Sequence, residues 1–358
     1  MIGRLRPAPI VYDPHVIQRI LRNVIWLGLG EVLVKGGLFV ATVVIARSAG
    51  PVGVGTFSIA YSAALIAVLI LALGQQEVLI REVARCSEGA RSLLSASQLA
   101  QARLARWLVP LAVIGVLWVG DRELRLALLT FVPYALLRTA TVTVGAAFKG
   151  LDRMDVEARA RAYEVAIAVV VIGVGAIVGW PVWSVGIAFS AGSAVGLLWL
   201  LARSRELTGE RSVPGSGVLQ QEGIPFMALA VVSQLLVHAD RFLLAFFGVT
   251  TGEIGLWGAC GTVVWALLAL PQLMTLALYP SLSRIAETGA PPRTFGLAAG
   301  AAGGAVGLIF TFALRWVAEP LIDVVFGPEF GPAVPLLRQL AWALPGAYAL
   351  MTMGAVYA

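Results

Sequence analysis

The side chains able to do chemistry in this sequence are few, and they stand where charge is costly. The stretch "HADRFLLAFFG", His238–Gly248, puts His238, Asp240 and Arg241 within four residues, inside an apolar run from about Ile224 to Phe247. At about 100° per residue, Ser233, Gln234, His238, Asp240 and Arg241 share one helical face, while Leu235, Leu236, Phe242 and Leu243 take the opposite one. Two further apolar runs carry ions. Glu31 and Lys35 are spaced i, i+4 in the order that favours pairing, with Gly28, Leu38 and Thr42 on their face. Arg138 shares a stripe with Tyr134, Thr141 and Gly145 and has no acidic residue within a turn of its own helix.

A charge at the centre of a lipid-embedded helix costs about 2.5–3.5 kcal/mol on translocon scales, so such residues face a protein interior or a wet cavity. Placed on one cleft wall, Lys35, Arg138 and Arg241 outnumber Glu31 and Asp240. A net positive cleft suits an anionic ligand, because a guanidinium matches phosphate oxygens bidentately and lysine acts as a point charge. The structural alternatives are a self-neutralising Glu31–Lys35 pair, an Asp240–Arg241 unit with His238 a bystander, and an Arg138 partner on another helix. No HExxH, GxSxG, P-loop or CxxC pattern is present, so hydrolase, ATPase and redox chemistry lack a site. Cys86 and Cys260 have no metal or redox spacing. No catalytic residue, bound metal or cofactor is expected.

The elements that must carry these residues are membrane helices. Of 358 residues, 59% are hydrophobic and 13% charged, and the mean hydropathy is +0.88, whereas a soluble domain carries about 25% charged residues. A bilayer core needs about 20 apolar residues per helix. About ten candidate spans follow, centred near Lys35, Leu65, Leu111, Leu136, Val170, Ser193, Leu235, Leu268, Leu308 and Pro345. The third is the weakest, since Arg103, Arg106 and Pro110 fall in its first half. With the N-terminus inside, the inner segments hold 18 basic residues, among them Arg4, Arg6, Arg19, Arg22, Arg81, Arg153, Arg211, Arg284 and Arg293. The outer segments hold four, Arg47, Arg122, Arg125 and Arg315. This bias predicts a cytoplasmic N-terminus, and it makes the pI of about 9.7 a matter of topology rather than of nucleic-acid binding. The longest outer connection is expected at Glu319–Gly331.

The chain also repeats. Gly53–Arg85 has a counterpart in Glu253–Glu287: at an offset of 200, Gly55 meets Gly255, Val54 meets Ile254 and Phe57 meets Trp257. In each copy a small-residue turn opens a long apolar helix that ends in a basic stretch on the inner side. Parallel repeats about an axis along the membrane normal are a transporter architecture, with the site between the halves near mid-depth. The expected organisation is all-α: an N-terminal lobe at 1–205 with six spans, a cytoplasmic linker at 206–222, and a C-terminal lobe at 223–358 with four spans, around a central cleft. Prolines such as Pro110, Pro133 and Pro271 read either as hinges or as ordinary membrane-helix composition.

These residues resemble the polysaccharide-type flippases of the multidrug/oligosaccharidyl-lipid/polysaccharide (MOP) exporter superfamily. "ARSAGPVGVGTFSIAYS" with "LGQQEVLIREVAR" is similar to that family's first two spans and following loop. "HADRFLLAFFG" with "EIGLWGACGTVVWALLALPQLMTLALYPSLSR" resembles its seventh and eighth spans, and "LIDVVFGPEFGPAVPLLRQLAWALP" its outer loop and tenth. The resemblance implies about twelve or more spans, and this sequence ends in its tenth, at "MTMGAVYA", so the second lobe is expected to be short of the family's. It further implies a bacterial or archaeal cytoplasmic membrane, alternating access without nucleotide hydrolysis, and a polyprenyl-pyrophosphate-linked oligosaccharide as substrate. Lys35, Arg138, Arg241, Asp240, Glu31, Gln234 and His238 would then line the substrate cleft, with membrane lipids around the protein and a coupling ion, H+ or Na+, left open. A cation-coupled drug extruder should show an excess of cleft carboxylates. A peptidoglycan-precursor flippase remains an alternative, and a glycan polymerase or ligase would be expected to carry a sizeable charged outer loop.

Overall fold

A computed structural model of the chain describes residues 14–207, 216–287 and 292–357. Among the described residues it is helical throughout, with no strand. Eight helices are long and apolar enough to cross a bilayer. The first, α1 (Pro14–Ala72), accounts for two of the expected spans, because Gly50 breaks it at φ 64°, ψ −166°. That is backbone a glycine adopts readily and other residues only under strain. Pro51 then restarts the helix, its φ already set for a first helical position. We call the side of the bilayer where α1 begins the near side and the side of the Gly50 turn the far side. After α1 come a short near-side helix α2 (Gln75–Arg85), then α3 (Ala90–Leu117), α4 (Arg122–Gly150), α5 (Met154–Val178) and α6 (Val185–Ser204). The second half begins with α7 (Ser216–Phe246), α8 (Thr251–Glu287) and α9 (Pro292–Val325), and continues through α10 (Ala333–Leu340) and α11 (Ala343–Tyr357).

Several expectations shift. Helix α3 runs unbroken through Arg103, Arg106 and Pro110, and both arginines are exposed. Helix α9 continues to Val325, so the far-side connection is a short turn around Pro328–Phe330 rather than a loop from Glu319. The tenth span starts as two pieces, α10 and α11, parted at Ala341–Trp342. Of the linker expected at 206–222, residues 208–215 lie outside the described residues, as do Arg4, Arg6, Arg211 and the side chains of Arg19, Arg22, Arg284 and Arg293. On either side of that gap, Leu207 and Leu219 both bury in one cluster with Leu94, Phe148 and Leu200. The end of α6 and the start of α7 are thus anchored in the N-terminal half.

The repeat becomes a contact. Helix α8 packs along α1 so closely that a Cβ on Gly55 would fall into the Thr251 carbonyl, and one on Gly255 into the Pro51 carbonyl. A Cβ on Gly252 would sit in ordinary contact with Val52, at 3.6 Å, and Gly258 faces Ser58. Residues 51 and 55 therefore meet 255 and 251 reciprocally, as self-complementary surfaces do across a twofold axis. Small residues permit this approach in membranes, where packing rather than water exclusion joins helices.

Arg47 closes the same far side from another direction. Its guanidinium donates to the carbonyls of Asp323, Val324 and Val325 at the end of α9, with Nε to Val325 O at 3.1 Å. A cation at a helix C-terminus satisfies orphan carbonyls and opposes the helix dipole. Phe39 packs edge-on against Phe326, which stacks on Phe330. On the near side, Gly74 abuts Gly223 and Arg81 pairs with Glu222, tying α2 to α7. Beyond the end of α6, hydrogen bonds from Arg153 and Arg203 hold the Glu206 carboxyl below the usual carboxylate range.

The seam gives a direct test. Gly55→Ala or Gly255→Ala should cost about 3 kcal/mol or more, at or above the upper end of ordinary overpacking, because the obstacle is backbone. Gly173→Ala, which meets nothing within 4 Å, should be neutral or slightly stabilising. Thermal unfolding of the three variants in detergent reads this out, and equal melting would contradict the seam.

Candidate functional site

On the near side of the Gly55–Gly255 seam the two halves part around a cavity of about 590 Å³, within the range of ordinary ligand sites. Four helical segments line it. The first arm of α1 gives Lys35, Phe39 and Thr42, and its second arm Phe57, Ser58, Tyr61 and Leu65. Helix α7 gives Val237, His238 and Arg241, and α8 gives Thr262, Trp265 and Leu270. The wall is mostly apolar and aromatic. Phe57 and Tyr61 are backed by Phe131, Tyr134 and Phe189, whose rings stack within 5.2–6.3 Å of them and of one another. Such a ring cluster makes the N-terminal wall stiff.

Two cations line the cavity. Lys35 lies on α1 within electrostatic reach of Glu31. Arg241 lies on α7, across from it in chain order. Its guanidinium reaches over to the N-terminal half, donating through one nitrogen to Ser62 Oγ at 3.1 Å and to His238 Nδ1 at 2.5 Å. A guanidinium only donates, so in this contact Nδ1 accepts. Ser62 Oγ also lies 3.1 Å from that Nδ1. Ser62, His238 and Arg241 thus form one polar knot between the halves. The Nε of Arg241 is buried with no hydrogen-bond partner, so the side chain keeps unused donor capacity beside the cavity.

The other expected site residues are placed elsewhere. Arg138 does not line the cavity. It forms an ion pair with Glu164 of α5 at 2.5 Å, and Ser193 of α6 donates to the second carboxylate oxygen at 2.6 Å. In a low-dielectric interior a guanidinium takes the carboxylate at its own depth on a neighbouring helix, so the partner search ends inside the N-terminal half. Glu31 turns to Arg161 of α5, at 2.5 Å, with Lys35 also within electrostatic reach. Asp240 accepts from the Trp257 indole of α8 and from the Arg241 backbone N–H at 2.8 Å, and no Asp240–Arg241 side-chain pair forms. Gln234 is half-buried and Ser233 exposed, both outside the cavity lining. The single polar face expected on α7 therefore divides: His238 and Arg241 turn to the cleft, and Asp240 braces α8.

Sequence reasoning missed Ser62, Tyr61 and Trp265. The repeat carried the signal for two of them: at the offset of 200, Ser62 pairs with Thr262 and Leu65 with Trp265, and Leu65, Thr262 and Trp265 all line the cavity. Among the described residues no group of three or more His, Cys, Asp or Glu could hold a metal.

A profile of the family described as "Polysaccharide biosynthesis protein" matches residues 20–286. No curated protein matches by sequence. Among solved structures, the chain is similar to one described as an inward-facing conformation of a multidrug resistance MATE family transporter of the MOP superfamily. The TM-score is 0.62 at 13% identity, covering 94% of this chain and 85% of that one. It is also similar to a MOP superfamily transporter from Pyrococcus furiosus whose binding pocket is described as having reverse polarity, with a TM-score of 0.55 at 13% identity, over 95% and 83% of the two chains. With its all-helical membrane architecture, its reciprocal repeat and a match over most of its length, this chain belongs to the polysaccharide biosynthesis protein family, built on the fold of the MOP-superfamily transporters.

Proposed function

We propose that this protein is a flippase that moves a polyprenyl-pyrophosphate-linked oligosaccharide from the inner to the outer face of the cytoplasmic membrane. Family membership supports a membrane exporter of this general kind rather than an enzyme. One observation carries the finer reading: the cavity between the halves is lined by Lys35 and Arg241, and no carboxylate is among its lining residues. An organic cation would need the opposite charge, so the multidrug reading loses support although one structural neighbour is described as a multidrug transporter. A phosphate-bearing head group would take the unused donors of Arg241 and the point charge of Lys35. The apolar and aromatic wall would pack against sugar faces and the first prenyl units.

Transport is by alternating access. The near side is cytoplasmic in this reading, as the basic-residue bias predicts. The state described is then closed to the outside by the glycine seam and the Arg47 cap. To release substrate, Arg47 leaves the end of α9 while the halves rock about the seam. Binding supplies the drive only insofar as substrate holds one state better than the other. A pyrophosphate that draws Arg241 away from Ser62 and His238 would supply such a difference.

Two sets of variants test this. Arg241→Ala should reduce export of surface polysaccharide about 10- to 150-fold in a flippase-deficient host, normalised to protein level, the value of one hydrogen bond to a charged group. Arg138→Ala should instead lower abundance, because it strands Glu164 in the interior at a cost of about 3–5 kcal/mol. Normal export by Arg241→Ala at normal abundance would overturn the substrate role. Separately, Arg47→Ala should raise the reactivity of a Thr262→Cys probe, in a chain lacking Cys86 and Cys260, toward an impermeant thiol reagent added outside. Unchanged labelling would show that Arg47 does not hold the far side shut.

A further inference from the structure

The outward face of α5 changes character along its length in a way the transport reading does not use. From the near side it presents Arg159 and Tyr163, then Ala166, Val170, Val174 and Ile177. Their spacing of three or four residues keeps all six on one stripe. All are exposed, Val170 at 60% and Ile177 at 87%. Arg159 stacks over Trp26 of α1, with its guanidinium carbon 5.3 Å from the ring centroid. Tyr163 meets Trp199 of α6 edge-on at 5.3 Å, and Arg203 stacks over that same Trp199 at 5.0 Å. The result is a continuous rim of Trp26, Arg159, Tyr163, Trp199 and Arg203 above a smooth aliphatic strip. From Arg159 to Val174 the strip is about 22 Å long at 1.5 Å per residue, enough for a headgroup and the acyl chain of one leaflet, given a bilayer core of about 30 Å.

The charges are available. Among the described residues no carboxylate lies within ion-pair distance of Arg159, which stacks on Trp26. Arg203 shares one nitrogen with Glu206 at 3.1 Å. A guanidinium stacked by its face on an indole still offers its edge donors, which match phosphate oxygens. Tyr163 is exposed in this rim, in keeping with the headgroup depth that tyrosine favours, while Trp199 keeps its indole Nε1 buried. Basic pockets between membrane helices on the cytoplasmic side bind anionic headgroups.

We propose that this rim is a binding site for an anionic phospholipid of the near-side leaflet, with the phosphate on the edges of Arg159 and Arg203 and the acyl chain along Ala166, Val170 and Val174. It lies on the outer flank of the N-terminal half, behind the wall that carries the transport cavity, so its occupant is a bilayer lipid rather than the transported one.

Native mass spectrometry of the full chain, offered equal amounts of phosphatidylglycerol and phosphatidylcholine, tests the site. The wild-type chain should retain phosphatidylglycerol in excess. Arg159→Gln should cut that excess about fivefold, the equivalent of a ~1 kcal/mol contact, and the double variant with Arg203→Gln should abolish it. Arg122→Gln removes one exposed far-side charge and should leave the excess unchanged. Equal retention of both lipids by the wild type, an unchanged excess in the double variant, or an equal loss in Arg122→Gln would each overturn the proposal, the last by showing that bulk charge decides.

Discussion

Backbone contact between the two repeats sets the geometry of this protein. Where Gly55 and Gly255 meet the carbonyls of Thr251 and Pro51, no side chain fits between the helices, and the halves touch at van der Waals distance. Lipid offers no hydrophobic force to hold two membrane helices together, so such close packing has to come from shape. Beyond the seam the larger residues Phe57, Tyr61, Leu65 and Trp265 reach into the gap between the halves, and the space among them is the cavity. The seam and the cleft are thus two stretches of the same pair of helices, one small-residued and one large. Gly50 and Pro51 make the arrangement feasible by returning the chain at the far side without a loop.

A second constraint acts on the charges. Each ion placed among apolar helices needs a partner at its own depth. Arg138 finds Glu164, Glu31 finds Arg161, and Lys149 finds Glu157 at 3.2 Å, all between helices of the N-terminal half. These pairs lie within one half and would survive a rocking motion between the two. Arg241 differs: its hydrogen-bond partners are Ser62 of the other half and His238 of its own helix, with no carboxylate bonded to its guanidinium. On that difference rests the proposal that Arg241, unlike Arg138, meets the substrate.

Much of this was legible in the sequence, and what was not has a physical cause. Spans could be read because a bilayer demands long apolar runs, and the repeat because glycine tolerates no substitute at the seam, leaving Gly55 and Gly255 in register at 200 residues. The pairing of charges could not. From sequence the visible partner of Glu31 is Lys35, four residues on, whereas Arg161 is 130 residues away and becomes a neighbour only when α5 packs on α1. Arg138 had no acidic residue within a turn of its own helix, which correctly required a partner elsewhere. Sequence alone could not choose between another helix and a ligand. On α7, helical periodicity placed Asp240 and Arg241 on one broad face, but about 100° separates adjacent residues. That angle suffices to send Asp240 to Trp257 and Arg241 to the cleft.

Lys35 and Arg241 make the cleft between the halves the proposed anion site. The most direct measurement is the binding of a short prenyl pyrophosphate to the purified chain, followed through the fluorescence of Trp265 on the cavity wall. Saturable binding that inorganic pyrophosphate weakens, and that is lost when Lys35 and Arg241 are both changed to glutamine in a chain that still melts normally, is the result predicted. Equal affinity in that double variant, or preference for an organic cation, would contradict it.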